Sequence, residues 1–194
     1  MEFKDTKTFQ NLVNAFVGES QARMRYTFYA GVAKNEGHVN IQEIFLSTAD
    51  NERAHAKVFY QYLQKYAGHQ TNVFAADAEY PLNLRDTLAN LRSAQQGEGE
   101  EVIDYNKAAD DAEAEGFKDI ALSFRKIAEV EDHHAQRYQR LGDELEQGKI
   151  YKKDQSIEWK CINCGYVHNG TEAPGVCPAC VYPQGYFKPL PEVY

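Results

Sequence analysis

Glutamates and histidines occupy places where the inner seam of a packed helix should be apolar, and they do so along four stretches of the chain. Ile120, Phe124, Ile127, Glu131, His134, Tyr138 and Leu141 alternate steps of four and three, the spacing of one buried helical face. Ile41, Phe45, Thr48, Glu52, His55, Phe59 and Tyr62 repeat that spacing, with a glutamate and a histidine at the same places. Leu12, Phe16, Glu19, Arg23 and Tyr26 carry one seam glutamate; Leu84, Leu88, Leu91, Gln95 and Glu98 carry another. A buried carboxylate without a partner is very costly. Several converging on one core repel one another unless cations lie between them. The simplest neutraliser is a pair of metal ions.

The spacing is itself repeated. Glu19 precedes Glu52 by 33 residues, and Glu98 precedes Glu131 by 33 residues. Each second member opens a Glu-x-x-His pattern, Glu52 to His55 and Glu131 to His134, so the chain holds two copies offset by 79. Residues three apart on a helix share a face. The glutamate can therefore bridge two metals while the histidine caps one. One Glu-x-x-His on a surface helix is ordinary; two copies, each set behind a seam glutamate, are not. Two single glutamates and two Glu-x-x-His pairs from four helices form the pattern of ferritin-like di-iron or di-manganese bundles. His133 falls off the seam, and His38 and His69 lie in turn-like stretches, so none of these is expected to be a ligand.

The same periodicity predicts four long helices. The first runs from an N-cap at Asp5 or Thr6 to near Asn35, the second from about Asn40 to Tyr66. The third begins after Pro81, with Asn83 as candidate cap, and ends near Glu115; the fourth runs from Phe117 to Glu146. Short loops make hairpins of the first and last pairs, and residues 68–81 are long enough to cross the bundle. The expected fold is an all-α four-helix bundle, ferritin-like with one long crossover, over residues 1–147. A linker over 148–157 and a small C-terminal metal-binding domain over 158–194 complete it. Gly97 and Gly99 flank Glu98, where they suggest either a widened turn such as a π-bulge or relief of crowding.

All four cysteines lie in the tail, as Cys161-x-x-Cys164 and Cys177-x-x-Cys180. Such pairs in a cytosolic chain favour a tetrahedral metal site over disulfides, and a tail this short needs a staple. Four thiolates complete a tetrahedron, so His168 is not needed as a ligand. Thiolates suit zinc or iron. The two tight knuckles and the aromatic residues Trp159, Tyr166, Tyr186 and Phe187 resemble rubredoxin, which implies one iron. Net charge is −8, which makes nucleic acid an unfavourable partner. No apolar run reaches membrane length and the start is not a signal peptide, so a cytoplasmic protein is expected.

A di-metal bundle followed by a rubredoxin-like tail resembles rubrerythrin over essentially the whole chain. The motifs are Glu19, Glu52-x-x-His55, Glu98-x-x-Glu101, Glu131-x-x-His134 and the two cysteine pairs. Glu101 is the most telling, because the first half has Ala22 at the corresponding place. The resemblance implies a peroxidase that reduces hydrogen peroxide to water at a non-haem di-iron centre. Electrons would arrive through an Fe(Cys)4 site from a rubredoxin or a separate NAD(P)H-linked reductase. It implies that Glu52 and Glu131 bridge the irons, that Glu19 and Glu98 are terminal ligands and that His134 holds one iron. The other iron would shift between His55 when ferrous and Glu101 when ferric, as hard ferric iron prefers carboxylate. Tyr26 resembles a family tyrosine near the metals. Many members have a tyrosine five residues after the extra glutamate; this chain has Asn106 there and Tyr105 one place earlier, which puts a hydrogen bond to the site in doubt. Family members are typically dimers or larger. From Glu131 to Glu146 the last helix rises about 22 Å, which favours electron delivery between chains, unless the tail folds back on its own bundle. The competing functions are a ferritin-class ferroxidase or iron store, for which a rubredoxin-like tail has no use, an oxygenase, and a non-enzymatic iron or zinc binder.

Overall fold

The computed structural model describes residues 2–68 and 74–190, so His69 lies outside the described residues. Four helices dominate it: α1 (Lys7–Asn35), α2 (Val39–Ala67), α3 (Thr87–Ala114) and α4 (Lys118–Glu146). α1 pairs with α2 and α3 with α4 as hairpins. Gly37 and Gly116 turn each hairpin with φ of 85° and 90°, a region that residues with a side chain rarely enter.

The two halves cap each other. Glu36, just past α1, accepts from the Thr87 backbone N–H at the start of α3 (2.9 Å). Glu115, just past α3, accepts from the Thr8 backbone N–H at the start of α1 (2.9 Å). These contacts place the end of each hairpin's first helix beside the start of the other's, so α1 and α3 run antiparallel. Thr6 caps α1 as expected, its side chain accepting from Phe9 N at 3.1 Å. The cap of α3 is Asp86, which accepts from Ala89 N at 2.8 Å; the expected cap, Asn83, lies outside the helix and accepts from Ser93 instead. Leu84 accordingly precedes the helix and is exposed.

The crossover runs the length of the bundle along α1. Asn14 exchanges bonds with the backbone of Asp77, the Tyr80 hydroxyl donates to the Asn14 carbonyl, and the Tyr29 hydroxyl donates to the Asn83 carbonyl. α3 is continuous α-helix through Gly97 and Gly99, so the expected π-bulge is absent. Crowding is not the reason for the glycines either. A Cβ on Gly99 would meet nothing within 4 Å, and one on Gly97 would make ordinary contact with Arg25 at 3.6 Å.

Two apolar cores fill the bundle. One gathers Phe9, Leu12, Phe59, Leu63, Phe124 and Ile127; the other gathers Tyr26, Tyr29, Phe45, Leu91 and Tyr138. Glu19, Glu52, Glu98, Glu131 and His134, all buried, belong to neither cluster and form a polar layer in the same interior.

The tail is a three-stranded antiparallel sheet of order β2-β1-β3, from β1 (Lys152–Cys161), β2 (Val167–Glu172) and β3 (Phe187–Pro189). Trp159, Phe187, Cys161 and Cys177 make its small core. The stretch expected as a linker is anchored: Ile150 is buried in the bundle's second core and Tyr151 packs on both cores. The tail thus sits at the end of its own bundle. The Tyr151 hydroxyl donates to Asn40 Oδ1 (3.0 Å) and lies 3.1 Å from His38 Nδ1, while Lys188 donates to Glu43 (3.1 Å). Gly185 must be glycine here, because a Cβ would collide with the Gly37 carbonyl. His38 is therefore a docking residue, and His133 is exposed, as its place off the seam requires.

Candidate metal centre

Helical phase brings the seam residues together in two sets of four. One is Glu19, Glu52, His55 and Glu131; the other is Glu98, Glu131, His134 and Glu52. Within each set the ligand atoms lie within 4.8 Å of one another. Glu52 and Glu131 belong to both sets, so the two clusters share their central carboxylates.

The oxygens divide between the histidines. His55 Nδ1 lies 3.1 Å from Glu52 Oε2 and 2.9 Å from Glu131 Oε1. His134 Nδ1 lies 3.4 Å from Glu52 Oε1 and 2.8 Å from Glu131 Oε2. Each central carboxylate therefore turns one oxygen towards each histidine, the orientation a bridge between two cations needs. Glu19 Oε2 stands 3.7 Å from His55, and Glu98 Oε2 stands 3.5 Å from His134, one at each end.

The inward atoms fit cations better than they fit one another. Glu19 Oε2, Glu52 Oε1, Glu98 Oε2, both Glu131 oxygens and His134 Nδ1 are buried and form no hydrogen bond among the described residues. So many orphaned polar atoms in one layer would be prohibitive without a ligand. Four carboxylates balance two divalent ions.

Protonation tells the same story. Burial opposes charge on the histidines, yet the carboxylates around them prevail: His55 is raised to about 12 and His134 to about 9. Burial raises Glu19, carries Glu98 up to about 7 and pushes Glu52 well above the carboxylate range. Burial acts on Glu131 too, but the close His134 and His55 rings hold it down at about 2. The protons so retained are those a metal ion would displace.

Two tyrosines brace the outer glutamates crosswise. Tyr26, seven residues after Glu19, donates to Glu98 Oε1 at 2.6 Å. Tyr105, seven residues after Glu98, donates to Glu19 Oε1 at 2.7 Å. Asn106 is exposed and donates to the Val102 carbonyl. The bond left in doubt by Asn106 is thus made by Tyr105. A signal for it was present in the sequence, since Tyr105 repeats Tyr26 at the 79-residue offset. Glu101 is half-buried and stands outside both sets. Burial and then the charges of Glu19, Glu98 and Glu131 push its carboxyl well above the usual range.

The cysteines form a second cluster. Sγ of Cys161 lies 3.8 Å from that of Cys180, and Sγ of Cys164 lies 3.7 Å from that of Cys177, far beyond a disulfide bond. A tetrahedron of thiolates about 2.3 Å from a central ion has edges of about 3.8 Å. Backbone bonds from Gly165 N to the Cys161 carbonyl and from Val181 N to the Cys177 carbonyl close matching knuckles. His168 sits on β2 opposite Trp159, away from the thiols.

Fold and sites define a class: a four-helix carboxylate-histidine bundle for two metals, joined to a small four-thiolate domain. Comparison with known proteins gives the family. The Rubrerythrin family profile matches residues 10–142 and 89–158, and the profile "Rubrerythrin, rubredoxin-like domain" matches residues 159–188. Rubrerythrin-1 of Clostridium acetobutylicum is 51% identical over 192 residues, covering 98% of both chains. Rubrerythrin of Clostridium perfringens is 46% identical, again over 98% of both. A solved structure described as a mixed-valence state of nigerythrin aligns with a TM-score of 0.61 at 27% identity, covering 97% of this chain and 92% of that one. The chain belongs to the rubrerythrin family. It is an iron protein of the oxidoreductase class, with a di-iron site in the bundle and a rubredoxin-like Fe(Cys)4 site in the tail. No helix among the described residues is long and apolar enough to cross a membrane.

Proposed function

We propose that the protein is a peroxidase that reduces hydrogen peroxide to water in oxidative-stress defence, with electrons passed through the four-cysteine site. The observation that carries this reading is the division of the Glu52 and Glu131 oxygens between His55 and His134. That geometry suits two adjacent ions, and reducing one peroxide takes two electrons and two protons to give two waters.

Glu52 and Glu131, each with one oxygen towards each histidine, would hold both irons, with Glu19 and His55 on one side and Glu98 and His134 on the other. When bound, the ferrous pair supplies the two electrons that cleave the O–O bond. Tyr26 and Tyr105 hold the terminal carboxylates in place and, as donors, lessen their negative charge. Glu101, standing off the cluster while His55 sits within it, would be available to hold a ferric ion in place of His55, since a hard cation favours carboxylate over imidazole. The residues 1–147 carry the chemistry and 158–194 the relay, fed by a rubredoxin or an NAD(P)H-linked reductase. Free cysteines fit the reducing cytoplasm.

The relay acts between chains. Glu43, where Lys188 docks, lies nine residues from Glu52, so about 14 Å of α2 separates the tail's docking point from the metal layer. A second copy, head to tail, brings its own cysteine domain nearer. Mixing chains lacking the four cysteines with chains lacking Glu52 and Glu131 tests this: mixed dimers should reduce peroxide above either parent. The peroxidase reading predicts that the reduced protein is oxidised faster by hydrogen peroxide than by dioxygen in stopped-flow absorption; equal or inverted rates overturn it.

A further inference from the structure

A cavity of about 300 Å³ lies between α1 and α3 under the crossover segment. Gly18 and Arg25 line it from α1, Gly97, Glu101 and Tyr105 from α3, and Tyr80 from the crossover. Its inner wall is the outer wall of the metal layer, because Tyr105 donates to Glu19 and Glu101 follows Glu98 by one turn.

Arg25 is the anomaly in this wall. It is only 7% exposed, and its Nε and Nη1 find no acceptor among the described residues. A guanidinium keeps its proton, and a buried cation with unpaired donors is strongly unfavourable. Its side chain rests over the Tyr26 ring, 5.3 Å from the centroid, and makes no hydrogen bond with Glu101. Its donors are thus available to a small acceptor in the cavity. The space is kept by glycines in helix interiors, where each costs about 1 kcal/mol relative to alanine. A Cβ on Gly18 would reach within 3.6 Å of the Tyr80 ring, and one on Gly97 within 3.6 Å of Arg25 Nη2.

The remaining charge of the lining has the opposite sign. Asp77, Glu79, Glu100, Asp104 and Asp111 face one lysine, Lys107. An acidic lining repels small anions and leaves a neutral molecule free to pass. Hydrogen peroxide is neutral at pH 7, and each of its oxygens both donates and accepts. Arg25 offers donors and the Glu101 carboxyl an acceptor oxygen, so the pair can hold both ends of one peroxide.

We propose that this cavity is where hydrogen peroxide reaches and is held beside the metal layer, with Arg25 as the residue that positions it and the acidic lining as the filter against anions. The inference rests on the peroxidase reading above and adds its substrate site.

The test uses full-length, iron-loaded protein and three variants: Arg25→Gln, Arg25→Lys, and the triple change Asp77→Asn, Glu79→Gln, Asp104→Asn. Metal content and the visible spectrum are measured first. Arg25→Gln should raise KM for hydrogen peroxide about tenfold while kcat stays within about twofold, and Arg25→Lys should recover part of that loss. Azide binding, read by spectral titration of the oxidised protein without turnover, should tighten about tenfold in the triple variant at low salt. That gain should vanish at high salt. An unchanged KM in Arg25→Gln, or iron loss from both Arg25 variants, overturns the positioning role. Unchanged azide affinity in the triple variant overturns the filter. Wild-type protein that peroxide oxidises no faster than dioxygen overturns the peroxidase reading itself, and this inference with it.

Discussion

Replacing Tyr105 with phenylalanine should weaken iron binding without disturbing the fold. The ring stays, with its contacts to Phe59 and Phe124 at centroid distances of 5.5 and 5.6 Å. Only the hydroxyl is lost, together with its 2.7 Å bond to Glu19 Oε1. A hydrogen bond to a charged group contributes roughly 1.5–3 kcal/mol. That corresponds to about a 10- to 150-fold change in an equilibrium constant. Removing a group that braces a metal ligand typically costs 10–100-fold in affinity, an independent route to the same range. Tyr26→Phe should cost a similar amount by releasing Glu98, since the two bonds are related by the internal repeat. The single effects should fall on different irons. Asn106→Ala, at an exposed position, should leave affinity unchanged. Chelator competition, followed by iron content and visible absorption, measures all three. Wild-type affinity in Tyr105→Phe, or a loss in Asn106→Ala as large as that in Tyr105→Phe, would refute the reasoning.

Glu101→Ala should keep two irons per chain, because Glu101 lies outside both four-residue sets, but raise the midpoint potential of the di-iron site; an unchanged potential in a redox titration removes its role as ferric ligand. Without metal, the His134 contacts should stabilise the fold fully below pH 6.5 and lose that contribution as pH rises through about 9, where His134 gives up its proton, while His55, raised to about 12, keeps its own. The Tm of chelator-treated protein should therefore fall between pH 7 and 10, and adding ferrous iron at pH 7 should release protons; a flat Tm profile with no proton release contradicts this. Val181 holds φ of 57° at the knuckle where its counterpart is Gly165, a strained place for a β-branched residue. Val181→Gly should stabilise the tail by about 1 kcal/mol, after the entropy glycine adds to the unfolded chain, and slow metal release to a chelator; faster release argues against strain there.

The candidate metal-binding groups were legible because they obey helical phase. A carboxylate or histidine in a stripe of Leu, Phe and Ile must face the core whatever the neighbouring helices do, and the repeat at 33 and 79 residues pairs the stripes. The hairpins and crossover followed from loop lengths, and the cysteine site from two short spacings. Asn83 misled as a cap because residues 83–86 offer two candidates, and only Asp86 has its carboxylate on the Ala89 N–H. Gly97 and Gly99 misled because a glycine in a helix signals low propensity without saying what occupies the freed space.

Sequence alone therefore determined which glutamates and histidines turn inward along the helices and which chemistry they bring, since local helical geometry sets the direction of each. Tertiary structure alone decided how they meet. That Glu52 and Glu131 give one oxygen to each histidine depends on the distance between hairpins. That Tyr26 reaches Glu98 and Tyr105 reaches Glu19 depends on α1 and α3 lying side by side in opposite directions. The Arg25 cavity exists because the crossover lies across the α1–α3 groove, and the tail rests on Gly37–Glu43 because Tyr151 packs in both cores. Each is a contact between segments far apart in the chain, set by the packing of whole elements rather than by any local pattern of residues.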